Sequence, residues 1–191
     1  MSRLVLASAS PRRRELLAQL GLSFEIMVRP VDETAFGDLE PAGRVERLAG
    51  AKAGAVAAEL DMGVVLGADT LVAVDGLVLG KPAGAGEARR MLEKLQNRWH
   101  RVYTGVAVAD AATGRMETAR AETAVFIRSM TPQEIERYVA TGEPLDKAGA
   151  YGIQGLGAMF VPFIRGSYSN VVGLPLDLAA DMLRRFGLPV L

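Results

Sequence analysis

The chain contains no cysteine and a single histidine, His100. The first absence excludes disulfide scaffolds, thiolate metal sites and cysteine nucleophiles, and the second excludes centres built from several imidazoles. Charge of one sign is lacking too: 22 Lys and Arg stand against 22 Asp and Glu. A global basic field for nucleic acid or anionic membrane is therefore excluded, although a local basic cluster is not, and no stable nucleic-acid binding is expected. No uninterrupted apolar stretch approaches membrane-spanning length, and the run Leu4–Ala7 is too short for the core of a signal peptide. The expectation is a cytoplasmic protein with no membrane partner. What is abundant is apolar: hydrophobic residues make up 50% of the 191. That is ample for a packed core, incompatible with intrinsic disorder, and best read as a single domain over 1–191.

Apolar clusters alternate with helical patterns along the whole chain. Strands are expected at Leu4–Ala7, Phe24–Val28, Val64–Leu66 with an extended continuation over Leu71–Val74, Val102–Ala109, Ala121–Ile127 and Met159–Ile164. Ser10 as N-cap with Pro11 behind it opens a helix that Gly21 stops, and Thr131-Pro132-Gln133-Glu134 is a capping box for another that ends at Gly142. Further helices are expected over 41–60, despite Gly43, Gly50 and Gly54, over 86–96, and over 176–186. Asp75-Gly76 signals a tight hairpin. The pattern is that of a mixed α/β domain.

Several segments carry chemistry, each with a bland reading beside the functional one. Ser8-Ala9-Ser10-Pro11-Arg12-Arg13-Arg14 joins a strand to a helix N-terminus, where free amides and the positive end of the helix dipole favour an anion. Arginines in a first turn oppose that dipole, and a bound polyanion would reverse the penalty; the alternative is an ordinary capped helix with solvated arginines. Helical spacing forbids all three on one face, which sends Arg12 and Arg13 toward a ligand and Arg14 toward solvent. Gly67-Ala68-Asp69-Thr70 places an acid at a strand end, suited to a metal or an activated water, or to a simple turn. Lys81 in Gly80-Lys81-Pro82 is a phosphate contact or a solvated turn lysine; no P-loop is present. His100 is a hydrogen-bonded structural residue or a catalyst, and Thr104-Gly105 can bring backbone close to a ligand. The glycine-rich run 143–155 brings together Asp146, Lys147, Tyr151 and Gln154: a ligand loop, with Lys147 toward phosphate and Gln154 toward a base edge, or an irregular surface loop. Glu33 beside Asp32, and Lys52 in the Ala-rich helix, are candidates for metal and phosphate, with solvated side chains as the alternative. The segment 166–175 either closes a site or packs the entrance of the last helix.

Taken in order, Ser8-Ala-Ser-Pro-Arg-Arg, Gly67-Ala-Asp-Thr, Gly80-Lys-Pro, His100-Arg-Val-Tyr-Thr-Gly, Leu145-Asp-Lys-Ala-Gly-Ala-Tyr-Gly-Ile-Gln-Gly and Gly166-Ser-Tyr-Ser-Asn-Val-Val-Gly-Leu-Pro resemble the Maf family of nucleoside triphosphate pyrophosphatases nearly end to end. The resemblance implies an α/β fold like that of inosine triphosphate pyrophosphatases: an elongated mixed sheet with flanking helices, two lobes around a deep cleft, and a homodimer. It implies that water attacks the α-phosphorus of a nucleoside triphosphate with a divalent cation, magnesium or manganese, to give the monophosphate and pyrophosphate, and a link to arrest of cell division. By the same resemblance Asp69 is the proton acceptor and, with Glu33, a metal ligand. Ser8, Arg13, Lys52, Lys81 and Lys147 are triphosphate contacts, and Asp146 is a further member of the polar cleft. Arg12, Thr70 and Gln154 fall where the family separates substrates, and their combination resembles the subgroup acting on dTTP and UTP. Two other readings use these residues: a non-catalytic nucleotide-binding regulator of septation, and a phosphotransferase. Carboxylates repel a triphosphate unless a metal sits between, which argues against the first, and the missing P-loop argues against the second.

Overall fold

The structure is a computed structural model that describes residues 3–190. Seven strands form one mixed sheet: β1 (Leu4–Leu6), β2 (Glu25–Ile26), β3 (Val64–Val74), β4 (Leu77–Leu79), β5 (Arg98–Asp110), β6 (Met116–Ile127) and β7 (Phe163–Arg165). The order is β2-β1-β3-β5-β6-β7, with β4 paired to β3. β1 runs parallel to both β2 and β3, while the β3–β4 and β6–β7 pairs are antiparallel. The helices are α1 (Pro11–Ala18), α2 (Pro41–Ala57), α3 (Ala85–Leu95), α4 (Pro132–Ala140), α5 (Tyr168–Val172) and α6 (Leu176–Arg185). None of them, among the described residues, is long and apolar enough to cross a membrane.

The chain divides into two compact units: Met1–Asp69 with Thr104–Ala121 and Gly173–Leu191, and Thr70–Tyr103 with Glu122–Val172. In the first, Val5, Ala7, Val65, Ala107 and Ala109 of the sheet bury against Ala49, Ala53 and Val56 of α2. Small residues on both sides bring helix and sheet unusually close. A Cβ on Gly67 would lie 2.5 Å from the Ala49 carbonyl oxygen, and one on Gly105 would lie 2.1 Å from that of Val45. The second unit has a larger-residue core in which Leu92 and Leu95 of α3, Ile135 and Tyr138 of α4, and Val72, Val125 and Ile127 of the sheet are buried together.

Most expected elements are present, with differences at the glycines. β3 runs unbroken through Gly67-Ala68-Asp69-Thr70, so Asp69 lies in mid-strand rather than at a strand end. Glycine there is required by the approach of α2, not by a turn. Gly105 is likewise explained by α2 and not by a ligand. The single strand expected over Met159–Ile164 is instead a 3-10 helix, Gly155–Phe160, followed by the three-residue β7. Gly155, at φ +71°, starts that helix in a conformation a strand cannot use. The hairpin is as expected, with Asp75 and Gly76 both at positive φ, and the capping box at Thr131 and Glu134 has both reciprocal hydrogen bonds. The segment 166–175 contains the short α5, whose Asn170 is fully buried and donates to the Val102 carbonyl and the Thr123 hydroxyl.

If close helix packing is what Gly105 provides, Gly105→Ala should cost about 1–3 kcal/mol or more through overpacking. Gly86→Ala in α3, where an added Cβ meets nothing within 4 Å, should be neutral or stabilising by up to about 1 kcal/mol. Urea unfolding of the two variants checks the contrast.

Candidate functional site

Alternation along β3 places Val65, Gly67 and Asp69 on one face, the face that α2 covers. On α2 the buried residues Val45, Leu48, Ala49, Ala53 and Val56 form a helical stripe, and Lys52, three residues after Ala49 and four after Leu48, falls within it. The lysine therefore reaches the strand rather than solvent. Its Nζ lies 2.7 Å from Asp69 Oδ1 and 2.7 Å from Glu33 Oε1. Asp69 is buried, whereas the Glu33 side chain is half exposed. Asp32 and Glu33 have separate duties. Asp32 caps the 3-10 helix Glu33–Phe36 by accepting from the Thr34 amide (3.0 Å) and hydroxyl (2.6 Å), which leaves Glu33 to turn toward Lys52.

In the same unit, α1 begins as expected. Ser10 Oγ accepts from the Arg13 amide at 3.4 Å, and Pro11 occupies the first turn. Ser8 Oγ accepts from the Ser10 amide at 3.2 Å and from Arg13 Nη1 at 3.3 Å, while Arg13 Nε donates to the Gly173 carbonyl at 2.8 Å. The guanidinium is thus fixed beside the helix N-terminus. Burial pulls the Arg13 pKa down from its ordinary value, as does neighbouring Arg12, and the nearby charges of Asp69 and Glu33 oppose the shift. Arg12 and Arg13 are half-buried and Arg14 is exposed.

The second unit holds Lys81, His100 and the run 143–155. The Gly149 amide donates to the Gly80 carbonyl at 3.0 Å, tying the 147–155 run to the turn that carries Lys81. Lys147 Nζ donates to the Glu143 carbonyl and to Asp146 Oδ1, both at 2.6 Å, which commits two of its three N–H donors. His100 is buried, its Nε2 sharing a 2.7 Å hydrogen bond with the Tyr151 hydroxyl and its ring edge-on to the Tyr151 ring. Its Nδ1 has no hydrogen-bond partner among the described residues. Burial pushes His100 down to about 4, so it is neutral near pH 7 and holds Tyr151 in place: a structural histidine. Gln154 is half-buried. Among the described residues, no group of three or more His, Asp or Glu could hold a metal.

The family model described as Maf-like protein matches residues 3–186. The chain belongs to the Maf family. A Pelotomaculum thermopropionicum protein named dTTP/UTP pyrophosphatase is 58% identical to this Maf chain over 191 residues, covering all of both. A Moorella thermoacetica protein of the same name is 60% identical over 190 residues, covering 100% of this chain and 98% of that one. A solved HAM1 protein from Coxiella burnetii shares the fold, with a TM-score of 0.52 at 16% identity, covering 97% of this chain and 100% of that one. The likeness agrees with the fold class implied by the sequence motifs.

The structure of this Maf chain also shows what sequence reasoning missed. Glycine at 155 and 157 is required by the chain's own packing. A Cβ on Gly155 would meet Glu143 Oε2 at 2.7 Å, and one on Gly157 would meet the Tyr138 hydroxyl at 2.4 Å. Glu143 takes the space at Gly155, and the Gly152 carbonyl with Tyr138 takes that at Gly157; the sequence pattern alone gives neither Glu143 nor Tyr138 a role. Glycines at 152, 155 and 157 flanking a short polar tip were the available signal.

The depressed pKa of His100 has a consequence for stability. In the unfolded chain the imidazole titrates near 6.5 and in the folded protein near 4, so between these values the unfolded state binds more protons. The contribution is complete above pH 6.5 and is lost as pH falls toward 4, a change of about 3 kcal/mol. Denaturation between pH 7 and 4 should show His100→Gln losing less stability on acidification than wild type, by about that amount.

Proposed function

We propose that this Maf chain is a nucleoside triphosphate pyrophosphatase that hydrolyses dTTP and UTP to the monophosphate and pyrophosphate, a reading supported by the names of its relatives. The observation that carries it is the convergence of Asp69 and Glu33 on one cation, the Lys52 ammonium. Two carboxylates at one point suit a small hard divalent ion, which commonly takes one or two carboxylates and completes its shell with water and substrate phosphates. Magnesium or manganese held by Glu33 and Asp69 would supply charge neutralisation at the phosphoryl oxygens.

The remaining steps belong to the chain. Arg13, held by Ser8 and the Gly173 carbonyl, is proposed to contact phosphate oxygens beside the α1 N-terminus. Ser8, Lys52, Lys81 and Lys147 are proposed as further triphosphate contacts, with Asp146 orienting Lys147. Asp69 accepts a proton from water as its oxygen bonds to the α-phosphorus. The bond from that phosphorus to the bridging oxygen breaks, pyrophosphate leaves with the electron pair, and Asp69 returns its proton to solvent. Fixed cations stabilise charge gathering on the phosphoryl oxygens without reorganising. Arg12, Thr70 and Gln154 are proposed to select the base, where a buried polar group left unpaired by the wrong nucleotide discriminates strongly. The working form is proposed to be a cytoplasmic homodimer with a part in cell-division arrest. Exposed aromatics of the second unit, Trp99 and Phe163 flanking Phe126, support a surface for association.

A panel of nucleoside triphosphates with magnesium or manganese should yield pyrophosphate and monophosphate from dTTP and UTP. Asp69→Asn should lower kcat by about 10²–10⁴-fold. Turnover mainly of 7-methyl-GTP would overturn the substrate assignment and leave the reaction standing. Tight binding of every nucleotide with no turnover would sink the reaction itself.

A further inference from the structure

The run 151–157 is held by a carboxylate. Glu143 Oε1 accepts from the Tyr138 hydroxyl at 2.9 Å and from the Gly157 amide at 3.0 Å, and Oε2 accepts from the Leu156 amide at 2.9 Å. The Tyr138 hydroxyl in turn accepts from the Gly152 amide at 3.1 Å. Burial raises the Tyr138 pKa, so the phenol keeps its proton and can donate to Glu143. Burial opposes ionisation of Glu143, but hydrogen bonds from Gly157, Leu156 and Tyr138, with Lys147 nearby, hold its carboxyl below its usual range. One ionised side chain therefore gathers three donors, and a chain of two side chains grips the backbone on both sides of Ile153 and Gln154. On the N-terminal side Tyr151 is pinned again by His100. The tip that remains is Ile153-Gln154, both half-buried.

We infer that Glu143 is a positioning residue: through Tyr138 and the amides of Leu156 and Gly157 it fixes the backbone that presents Gln154, and so sets how well the enzyme tells one nucleotide base from another. This rests on the pyrophosphatase reading above and on Gln154 meeting the base. Glu143 itself touches no substrate. Charge-assisted bonds to backbone amides are stronger than neutral ones and leave the anchored segment few alternative conformations. A tip displaced by about 1 Å can lose catalytic efficiency on the order of 10²-fold. Because the displaced group reads the base rather than the reacting phosphorus, the loss should appear in KM and selectivity more than in kcat.

The test compares full-length wild type with Glu143→Ala, Glu143→Gln and Tyr138→Phe. It measures kcat and KM for dTTP, UTP and dGTP, together with amide hydrogen exchange without nucleotide. Glu143→Ala should raise KM for dTTP about tenfold or more with kcat nearly unchanged, and should narrow the preference for dTTP over dGTP. Glu143→Gln keeps one acceptor oxygen but turns an NH₂ toward an amide N–H, and should fall between. Tyr138→Phe preserves ring packing, loses the grip on Gly152, and reports the same selectivity loss if Glu143→Ala does not fold. Equal losses in kcat for every nucleotide with KM and the preference unchanged would overturn the proposal. If wild type hydrolyses no nucleotide, the functional reading fails separately. Exchange then decides the clasp: faster exchange at Gly152, Leu156 and Gly157 than in α4 of the variants supports it, and unchanged exchange overturns it.

Discussion

The backbone of α2 lies against β3 and β5 at a distance that only glycine permits, and the first unit is organised by that contact. Val45 and Ala49 present their carbonyls where Gly105 and Gly67 have no side chain. At ordinary helix-to-sheet separation Lys52 would stand further from the sheet. At this separation the apolar stripe of α2 carries the lysine to Asp69, and its ammonium can pair with two carboxylates at once. A largely buried carboxylate is tolerable only with such a partner, since removing one member of a buried ion pair costs about 3–5 kcal/mol. Close packing and charge placement are thus one constraint rather than two.

In the second unit the same residue type serves a different purpose. Gly155 and Gly157 clear space not for a helix but for the chain's own Glu143 and Tyr138. An irregular loop exposes amides that no ladder satisfies, and a buried unsatisfied amide costs about 1–3 kcal/mol. Glu143 and Tyr138 satisfy three of them, at Gly152, Leu156 and Gly157. This permits the loop before the 3-10 helix Gly155–Phe160, and the first turn of that helix, to keep one conformation. His100 adds to the same end by its bond to Tyr151, and its burial shows why the single imidazole of the chain is unsuited to proton transfer near neutral pH.

Family membership and internal geometry support each other at specific residues. The motifs that identify the family contain both the polar groups proposed to act on a triphosphate and the glycines that bring them into place. Asp69 belongs to a strand whose preceding Gly67 admits α2, and Arg13 belongs to a helix whose Ser10 cap and Ser8 partner fix its first turn. A water nucleophile, cationic contacts and carboxylates require neither thiol nor imidazole, which accords with a composition lacking one and nearly lacking the other.

Local physics made much of this legible in the sequence. Ser10-Pro11, the Thr131 capping box and Asp75-Gly76 act within a few residues, so their helices and hairpin could be read directly, as could the strands at Leu4–Leu6 and within β5 and β6. The order of motifs likewise identified the family. Tertiary structure decided the rest. Nothing within a few residues of Gly67 distinguishes a turn from a strand crossed by a helix, because the atoms that forbid a side chain there belong to Ala49 and Ala53. Lys52 looked like a solvated helix lysine until its partners, 17 and 19 positions away in sequence, were brought to it. Glu143 gained its role only when amides 13 and 14 residues later folded back onto its carboxylate. Backbone torsion preferences act between neighbours and are written in the sequence; steric exclusion and charge pairing act through space and depend on which distant residues the fold makes adjacent.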